Sequence, residues 1–328
     1  MTFDERELLE IWYEGRRPPL LLRMLEPVYA GLAMLRRGLY AAGVLSGARL
    51  PVPVIVAGNL TAGGTGKTPL TIALVEALRQ RGFRPGVVSR GYGGSAREPT
   101  RVDARSDPAI AGDESCLIAR GTGVPVAIGR DRVAAARLLT ASDGVDVIIA
   151  DDGLQHYGLC RDVEICVVDG ERRFGNRRLL PAGPLREREG RVRDCDFVVC
   201  NGGVPAAGEI AMVLAGDEAV ALAQPGRRSA LGEFAGKRVH AVAGIGNPAR
   251  FFAKLRAAGI DVVEHAFGDH QVYGPADIRF DDDLPVLMTE KDAVKCAGFA
   301  DARHWFVPVQ AQLPAEFFDA VAARIRKS

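Results

Sequence analysis

The most informative segment of this chain is VIVAGNLTAGGTGKTP, residues 54–69. Three β-branched residues, 54–56, lead into a glycine-rich turn that ends in Gly66, Lys67 and Thr68, and the next segment, LTIALVEALRQRG, has helical character. A strand, a glycine-rich loop and a helix in this order are what a phosphate-binding loop requires. The glycines let backbone N–H groups approach phosphate oxygens, and the helix N-terminus adds partial positive charge.

This loop predicts ATP as a substrate and Mg²⁺ as its companion ion. Lys67 is expected to reach the β- and γ-phosphates, and the Thr68 hydroxyl is expected to ligate Mg²⁺. The usual pattern has glycine where this chain has Thr61, but the glycines that follow supply flexibility nearer the phosphates. The predicted nucleotide-binding residues are Thr61, Ala62, Gly63, Gly64, Thr65, Gly66, Lys67 and Thr68.

Length, composition and charge indicate a globular protein and argue against a nucleic-acid-binding or membrane-spanning one. The chain has 328 residues, which suffices for one large or two modest domains, and its 48 % hydrophobic and 25 % charged residues are ordinary for a globular protein. A formal net charge of +1 gives no field that would attract nucleic acid, so we expect no nucleic-acid partner. The six cysteines form no C-x-x-C pair and predict reduced thiols in a cytoplasmic protein. No stretch reaches the roughly 18 apolar residues of a membrane span, so any membrane contact is expected at the surface.

From residue 52 to about 200, predicted strands alternate with predicted helices. This rhythm indicates an α/β fold of the P-loop NTPase type, with a doubly wound, mostly parallel sheet and ligands at the carboxyl ends of its strands. Over 201–235 the sequence becomes rich in glycine, proline and small residues, as in NGGVPAAGE and QPGRRSALGEFAG, which suggests a hinge before a second α/β block. The predicted units are an N-terminal helical arm (1–50), a kinase core (51–225), a smaller C-terminal lid domain (226–312) and a helix that returns to the core (313–328).

The arm has apolar residues at spacings of three and four, with arginines around them. Pro18 and Pro19 separate a short first helix from a second one. One interpretation is a basic amphipathic surface that docks on anionic lipid. The other is an ordinary helix packed on the core, with its arginines in solvent, and periodicity alone favours the latter.

Two acidic segments are candidates for metal or acid–base chemistry. A buried strand runs into Asp151 and Asp152, where a magnesium-supporting carboxylate should follow a phosphate-binding loop. A β-turn that begins with aspartate is the alternative. Asp113 and Glu114 open a helix, which by itself is explained by capping.

Other polar groups follow strand ends or lie in loops. Arg90 sits in an SRGYGG segment and offers a guanidinium to phosphate, and Arg186 follows a proline-fixed PAGP loop that suits bidentate phosphate binding. His270 lies in a Gly-Asp-His turn that would suit proton transfer if it faces the cleft.

The ordered motifs resemble the tetraacyldisaccharide 4'-kinases of lipid A biosynthesis over nearly the whole chain. The motifs are LRRGLY (35–40), GNLTAGGTGKTP (58–69), SRGYG (89–93), GDE (112–114), DDGLQH (151–156), PAGPLRE (181–187), GIGNP (244–248), DH (269–270) and TEKDAVK (289–295). The resemblance implies transfer of the ATP γ-phosphoryl group to the 4'-hydroxyl of a tetraacylated glucosamine disaccharide 1-phosphate. It also implies a monomer bound peripherally to the cytoplasmic face of the inner membrane, with a lipid-facing arm.

The resemblance further implies roles for individual residues. Asp113 and His270 correspond to a pair that activates the acceptor hydroxyl, with Lys67 and Arg186 as further catalytic groups. Family members often carry a second histidine where this chain has Gln271, so His270 is preferred for the role. The implied metal ligands are Thr68, Glu114, Asp151 and Asp152. The implied substrate contacts are Asn59, Arg90, Tyr92, Arg132, Gln155, His156 and Arg186.

Two other classes of protein share part of this pattern. Partitioning ATPases carry a similar loop, but they have a signature lysine where this chain has Ala62. A soluble small-molecule kinase would not need the helical arm. A nucleotide-dependent dimer would favour the first alternative, and detergent-independent activity would favour the second.

Overall fold

The computed structural model describes residues 5–224, 226–269 and 271–327. Two helices precede the first strand, as the proline pair predicts, and they are α1 (Glu5–Tyr13) and α2 (Leu20–Ala41). The next elements are β1 (Val54–Gly58), α3 (Lys67–Gln80), β2 (Pro85–Ser89), β3 (Thr100–Val102), α4 (Pro108–Ala111), α5 (Asp113–Thr122), β4 (Val126–Ile128), α6 (Arg132–Ser142), β5 (Val147–Asp151), β6 (Val163–Asp169), β7 (Phe197–Asn201) and β8 (Ile210–Ala215).

The remaining elements complete a second sheet and return to the first. They are β9 (Glu218–Ala221), β10 (Arg228–Ala230), β11 (Arg238–Ala243), α7 (Pro248–Ala257), β12 (Asp261–Ala266), α8 (Pro275–Ile278), β13 (Val286–Thr289), α9 (Glu290–Cys296), β14 (His304–Val307), β15 (Gln310–Gln312) and α10 (Ala315–Ile325). Two 3₁₀ turns lie at Glu189–Asp194 and Leu231–Phe234.

The larger sheet has nine strands in the order β15-β8-β7-β6-β1-β5-β2-β4-β3. Its central pairs are parallel, and only the outer pairs β3–β4 and β15–β8 are antiparallel. The central strand β1 is buried at all five residues because the sheet is covered on both faces. Ile55 packs on one face with Leu74 of α3, and Val56 packs on the other with Leu139 of α6. The predicted doubly wound α/β fold is therefore confirmed.

The smaller sheet has six strands in the order β10-β9-β14-β13-β11-β12, and its four strands β14, β13, β11 and β12 are parallel. The chain passes from the larger sheet to the smaller one at residues 216–217 and returns at 308–309. The C-terminal helix α10 lies against the larger sheet, where Phe317 meets Phe197 of β7 edge-on at 5.4 Å between ring centroids.

The connecting region contains strands that the sequence did not predict. The stretch 201–235, which was interpreted as a hinge, holds β8, β9 and β10, and the chain passes between the sheets within it at 216–217. Strand β8 is an apolar run, IAMVLA, but it lies next to the edge of its sheet and is only partly buried. Strands β9 and β10 have only four and three residues, which leaves little pattern to recognise in the sequence. Because β9 already belongs to the smaller sheet, the strands change sheet before residue 225; the division into a core and a lid domain stays a prediction.

Candidate active site

The loop between β1 and α3, residues 59–66, lies at the carboxyl end of the larger sheet. It ends at Gly66, whose φ of 93° is in the left-handed region that favours glycine. Lys67 follows as the first residue of α3, and only 8 % of its surface is exposed. Its Nζ donates to Asn59 Oδ1 at 3.3 Å and lies 3.7 Å from Asp152 Oδ1. The N-terminus of α3 and the Lys67 ammonium therefore lie side by side, and both attract the negative charge of a polyphosphate.

Neighbouring loops fix this phosphate-binding loop in place. The N–H of Ala62 donates to the Pro184 carbonyl at 2.7 Å, so the PAGP loop lies beside it. On its other side, Gly64 faces Gly246, and a Cβ on Gly246 would collide with the Gly64 nitrogen. The close approach of the two glycines holds the GIGN loop of the smaller sheet over the phosphate-binding loop.

Asp151 ends β5 with no exposed surface. Its Oδ1 accepts a hydrogen bond from Thr71 Oγ1 at 3.0 Å, whereas its buried Oδ2 has no hydrogen-bond partner. Burial raises the pKa of Asp151 to about 7; the negative charge of Glu114 adds to the rise and the Lys67 ammonium opposes it. An unpaired carboxylate oxygen that is this strongly buried fits the hard oxygen ligand that Mg²⁺ prefers.

Asp152 has the opposite environment, although it is the next residue. Its φ is 48°, in the left-handed region that residues other than glycine seldom adopt. Arg186 Nη1 donates to both carboxylate oxygens, at 2.8 and 3.0 Å, and Arg132 Nη2 donates to the Asp152 carbonyl at 2.7 Å. Burial alone would raise the pKa of Asp152, but Lys67, Arg186 and Arg132 together hold it well below its usual range. The sequence did not distinguish these two aspartates, and the structure does.

Asp113 and Glu114 begin α5, where they face two lysines of α9. Lys291 Nζ lies 3.0 Å from Glu114 Oε1, 2.9 Å from Asp269 Oδ1 and 3.9 Å from Asp113 Oδ2. Lys295 Nζ lies 3.6 Å from Asp113 Oδ2. Burial alone would lower the pKa of Lys291, but the three carboxylates raise it well above its usual range. This cluster of charges joins the two sheets at the edge of the site.

A cavity of about 420 Å³ extends between the two sheets from this charged group. Its volume is in the range of small-molecule sites. One end is formed by the phosphate-binding loop with Glu114, Asp269 and Lys291, and the other is lined by side chains from β8, α7 and the end of β14. The arrangement suits a ligand with an anionic end and a largely apolar end.

The predicted metal ligands do not form a ready-made cluster. Within the part of the chain that the structure describes, no three His, Cys, Asp or Glu side chains converge as a metal site. Asp152 is occupied by Arg186 and Glu114 by Lys291, which leaves Asp151 Oδ2 as the unsatisfied acidic atom of the predicted set. The donor types fit magnesium, and the assignment stays a prediction.

The other predicted substrate contacts surround Asp152 and Arg186. Gln155 Nε2 donates to the Asn59 carbonyl at 3.1 Å, and its Oε1 accepts from Arg186 at 3.4 Å. Burial, with Arg132 and other arginines nearby, lowers the pKa of His156 to about 4, so this imidazole is neutral at physiological pH.

The SRGYG loop lies close to Asp113. A Cβ on Gly112 would contact the Tyr92 carbonyl, so this loop packs on the turn that starts α5. Arg90 and Tyr92 are exposed, and 60 % of the Tyr92 surface is accessible. His270 lies outside the described residues, and its predicted role stays a prediction.

The sequence analysis assigned no role to Lys291 and Lys295. Both lie in the TEKDAVK motif, and their spacing of four residues places them on one face of a helix. That spacing is the only signal in the sequence, because the carboxylates that they meet come from distant segments.

The N-terminal arm is attached to the same site. Tyr29 of α2 donates its hydroxyl to the Arg186 carbonyl at 3.0 Å, and Trp12 Nε1 of α1 donates to the Pro181 carbonyl at 3.1 Å. The outer side of α2 is apolar and exposed. Its exposed apolar residues are Leu20, Leu21, Met24, Leu25, Val28, Leu32, Met34 and Leu35.

Comparison with known proteins agrees with this geometry. The family model described as tetraacyldisaccharide-1-P 4'-kinase (LpxK) matches residues 19–326. The chain is 54 % identical over 326 residues to a tetraacyldisaccharide 4'-kinase of Stenotrophomonas maltophilia, with 96 % of each chain covered. It is also 54 % identical over 332 residues to the enzyme of Xanthomonas euvesicatoria, with 96 % of this chain and 95 % of the relative covered.

A solved structure has the same fold. A crystal structure described as the "apo" form of LpxK from Aquifex aeolicus in complex with ATP superposes with a TM-score of 0.77 at 28 % identity, covering 93 % of this chain and 99 % of that one. The family model, the curated relatives and this structure all agree, and the chain belongs to the tetraacyldisaccharide 4'-kinase family.

Proposed function

We propose that this protein transfers the γ-phosphoryl group of ATP to the 4'-hydroxyl of a tetraacylated glucosamine disaccharide 1-phosphate, a step of lipid A biosynthesis. The observation that carries the proposal is the position of the cavity. It is lined by the phosphate-binding loop and by Glu114, which adjoins Asp113. The exposed apolar helix α2 donates a hydrogen bond to the Arg186 carbonyl, and the Arg186 guanidinium pairs with Asp152. A phosphate donor and a lipid acceptor therefore have separate approaches to one group of charged residues.

The phosphate-binding loop and Lys67 would hold the triphosphate. Phosphoryl transfer depends mostly on positioning and on positive charge around the transferred group. In the structure Lys67 is already ordered by Asn59 and Asp152, so little rearrangement is needed when phosphate oxygens replace these contacts. Thr61, Ala62, Gly63, Gly64, Thr65, Gly66 and Thr68 complete the loop.

Magnesium would be held by Asp151 and the Thr68 hydroxyl, with Glu114 and Asp152 as nearby carboxylates. When bound, the ion would neutralise negative charge on the β- and γ-phosphates. The buried and unpaired Asp151 Oδ2 supports this assignment. Both Asp152 and Glu114 would first have to leave Arg186 and Lys291 in order to serve as direct ligands.

Asp113 is proposed to accept the proton of the sugar hydroxyl, together with His270. Its carboxylate is 5 % exposed and lies near both Lys291 and Lys295, which fix its direction. Arg186, whose Nη1 donates to Asp152, is proposed to move from this carboxylate to the transferred phosphoryl group. Asn59, Arg90, Tyr92, Arg132, Gln155 and His156 are proposed to contact the acceptor.

The arm is proposed to lie on the cytoplasmic face of the inner membrane, with the protein acting as a peripheral monomer. The exposed apolar side of α2 supports this location, because contiguous exposed apolar patches mark binding surfaces. The described helices include none that is long and apolar enough to cross a bilayer. The hydrogen bond from Tyr29 to the Arg186 carbonyl would bring acyl chains held at α2 close to the site of transfer.

The direct test is thin-layer detection of ³²P transfer from [γ-³²P]ATP to a monophosphorylated tetraacyl disaccharide in mixed micelles. We expect Mg²⁺-dependent labelling of the lipid by the native protein and loss of labelling in Lys67→Ala. Release of inorganic phosphate without any labelled lipid, under conditions in which the native protein binds ATP, would contradict the proposal.

A further inference from the structure

Lys254 of α7 lines the cavity at the end opposite the charged cluster. Its Nζ is buried and has no hydrogen-bond partner. Burial lowers the pKa of this ammonium, and the nearby charge of Asp217 opposes that effect. A buried ammonium without a hydrogen bond is unfavourable, so an acceptor that enters the cavity would be bound strongly.

This lysine lies where the two sheets are connected. A Cβ placed on Gly216 would be 3.3 Å from Lys254 Nζ and in contact with the Pro308 carbonyl. Gly216 and Pro308 belong to the two segments, 216–217 and 308–309, by which the chain passes between the sheets. Lys254 Nζ therefore lies beside the two segments that connect the sheets.

The sheet order fixes which way a nucleotide lies in the cavity. The phosphate-binding loop follows β1, and the residues proposed to surround the γ-phosphoryl group follow β5 and begin α5 on one side of it. Strands β7 and β8 lie on the other side, where Asn201 donates to the Thr65 carbonyl at 2.9 Å and so holds the loop to the end of β7. A triphosphate that points its outer group towards Asp113 must therefore extend its base towards β8 and α7.

That end of the cavity has the character of a base-binding site. Leu214 of β8, Phe251 of α7 and Val307 of β14 line it with apolar surface. Sites for flat heteroaromatic ligands combine such walls with a few polar groups that fix orientation. Lys254, one turn after Phe251 on the same helix, provides a polar group at this position.

We propose that Lys254 donates a hydrogen bond from its ammonium to a ring nitrogen of the purine base of ATP. The proposal deepens the proposed function and rests on it only in so far as the cavity holds the nucleotide. An ammonium is a donor without acceptor capacity, and N1, N3 and N7 of adenine are acceptors. Its flexible four-carbon stem lets Nζ move from the wall below Gly216 to the base without a change in the backbone.

The first test measures equilibrium binding of ATP by calorimetry, without lipid, to the native protein and to Lys254→Met. Methionine keeps the length and the apolar stem and removes the donor. We expect the Kd for ATP to rise about tenfold or more, because the lost hydrogen bond has a charged donor. Arg256→Met on the exposed side of α7 is the matched control, with an expected change below twofold. Lys254→Arg keeps a donor and should restore part of the affinity.

The second test compares ATP with 1-deaza-, 3-deaza- and 7-deaza-ATP, each of which replaces one ring nitrogen by C–H. One analogue should bind the native protein about tenfold more weakly than ATP, and Lys254→Met should bind that analogue and ATP equally well. Inorganic tripolyphosphate should bind both proteins alike. If Lys254→Met binds tripolyphosphate and ATP more weakly by the same factor, Lys254 contacts phosphate and the inference is wrong. The inference is also wrong if the affinity of each analogue relative to ATP is the same for the native protein and the variant.

These binding measurements are independent of phosphoryl transfer. A native protein that shows the analogue pattern but labels no lipid would leave the base site in place and overturn the proposed function. A protein that labels lipid but lacks the analogue pattern would support the proposed function and overturn the proposed contact of Lys254 with the base. In thermal unfolding Lys254→Met should be at least as stable as the native protein, because the removed ammonium is buried and has no hydrogen bond to lose.

Discussion

Replacing Lys291 by methionine removes an ammonium that lies among three carboxylates from both sides of the site. Its Nζ is 2.9 Å from Asp269 Oδ1 and 3.0 Å from Glu114 Oε1, and the side chain is only 13 % exposed. Removing one member of a buried ion pair destabilises a protein by about 3–5 kcal/mol, since the partner charges stay buried without compensation. Lys295 still lies 3.6 Å from Asp113, so we expect the lower value, about 3 kcal/mol.

The assay is urea-induced unfolding of the metal-free protein at pH 8 and low salt. Because the pKa of Lys291 is raised in the folded state, its contribution to stability is present below the unfolded lysine pKa and is lost only as the pH rises through the higher folded value. The difference between the two proteins should therefore be constant from pH 7 to 9. Lys237→Met, at an exposed lysine, is the control and should change stability by less than about 0.5 kcal/mol.

A second variant checks the cause of the loss. Asp269→Asn combined with Lys291→Met removes one of the uncompensated charges and should recover part of the lost stability. The reasoning would be refuted if Lys291→Met were as stable as the exposed control. It would also be refuted if the added Asp269→Asn change lowered stability further.

Three further outcomes are expected. Loss of the general base in Asp113→Asn should reduce kcat roughly 10²–10⁴-fold, and Lys67→Ala should reduce it by at least as much. Comparable turnover of Lys67→Ala and native protein with radiolabelled ATP would contradict this. Burial and the neighbouring His240 lower the pKa of His265 in the folded protein. The free energy of unfolding should therefore fall as the pH drops below about 6.5, because the unfolded chain then binds more protons. His265→Phe should flatten that fall in urea titrations between pH 5 and 7. Leu32→Glu on the exposed side of α2 should reduce co-sedimentation with anionic vesicles and leave the Kd for ATP unchanged, and equal sedimentation would count against membrane docking by this helix.

The sequence was sufficient to predict the central part of the fold. Strands such as β1 and β5 are continuous apolar runs because they are buried on both faces, and the loop before Lys67 carries its glycines where the backbone turns. Both signals are local. Strands β8 and β9 lie between glycine- and proline-rich segments, and their pairing depends on segments far along the chain, so these two strands were not predicted.

The site shows the same division between local and distant signals. The motif around Asp151 and Asp152 is visible in the sequence, but their different environments arise from Thr71, Arg186 and Arg132, which come from separate elements. Pairing between segments so distant in the chain leaves no periodic pattern by which a single sequence would reveal it.

The position of the new phosphate on the product distinguishes 4'-phosphorylation from every other outcome. The lipid made from ATP and the monophosphorylated disaccharide should be purified and examined by two-dimensional ¹H–³¹P correlation NMR. We expect a new phosphomonoester signal that correlates with the H4' proton of the distal glucosamine, in addition to the original 1-phosphate signal. A correlation to any other sugar proton, or a second phosphate on the 1-position, would contradict it.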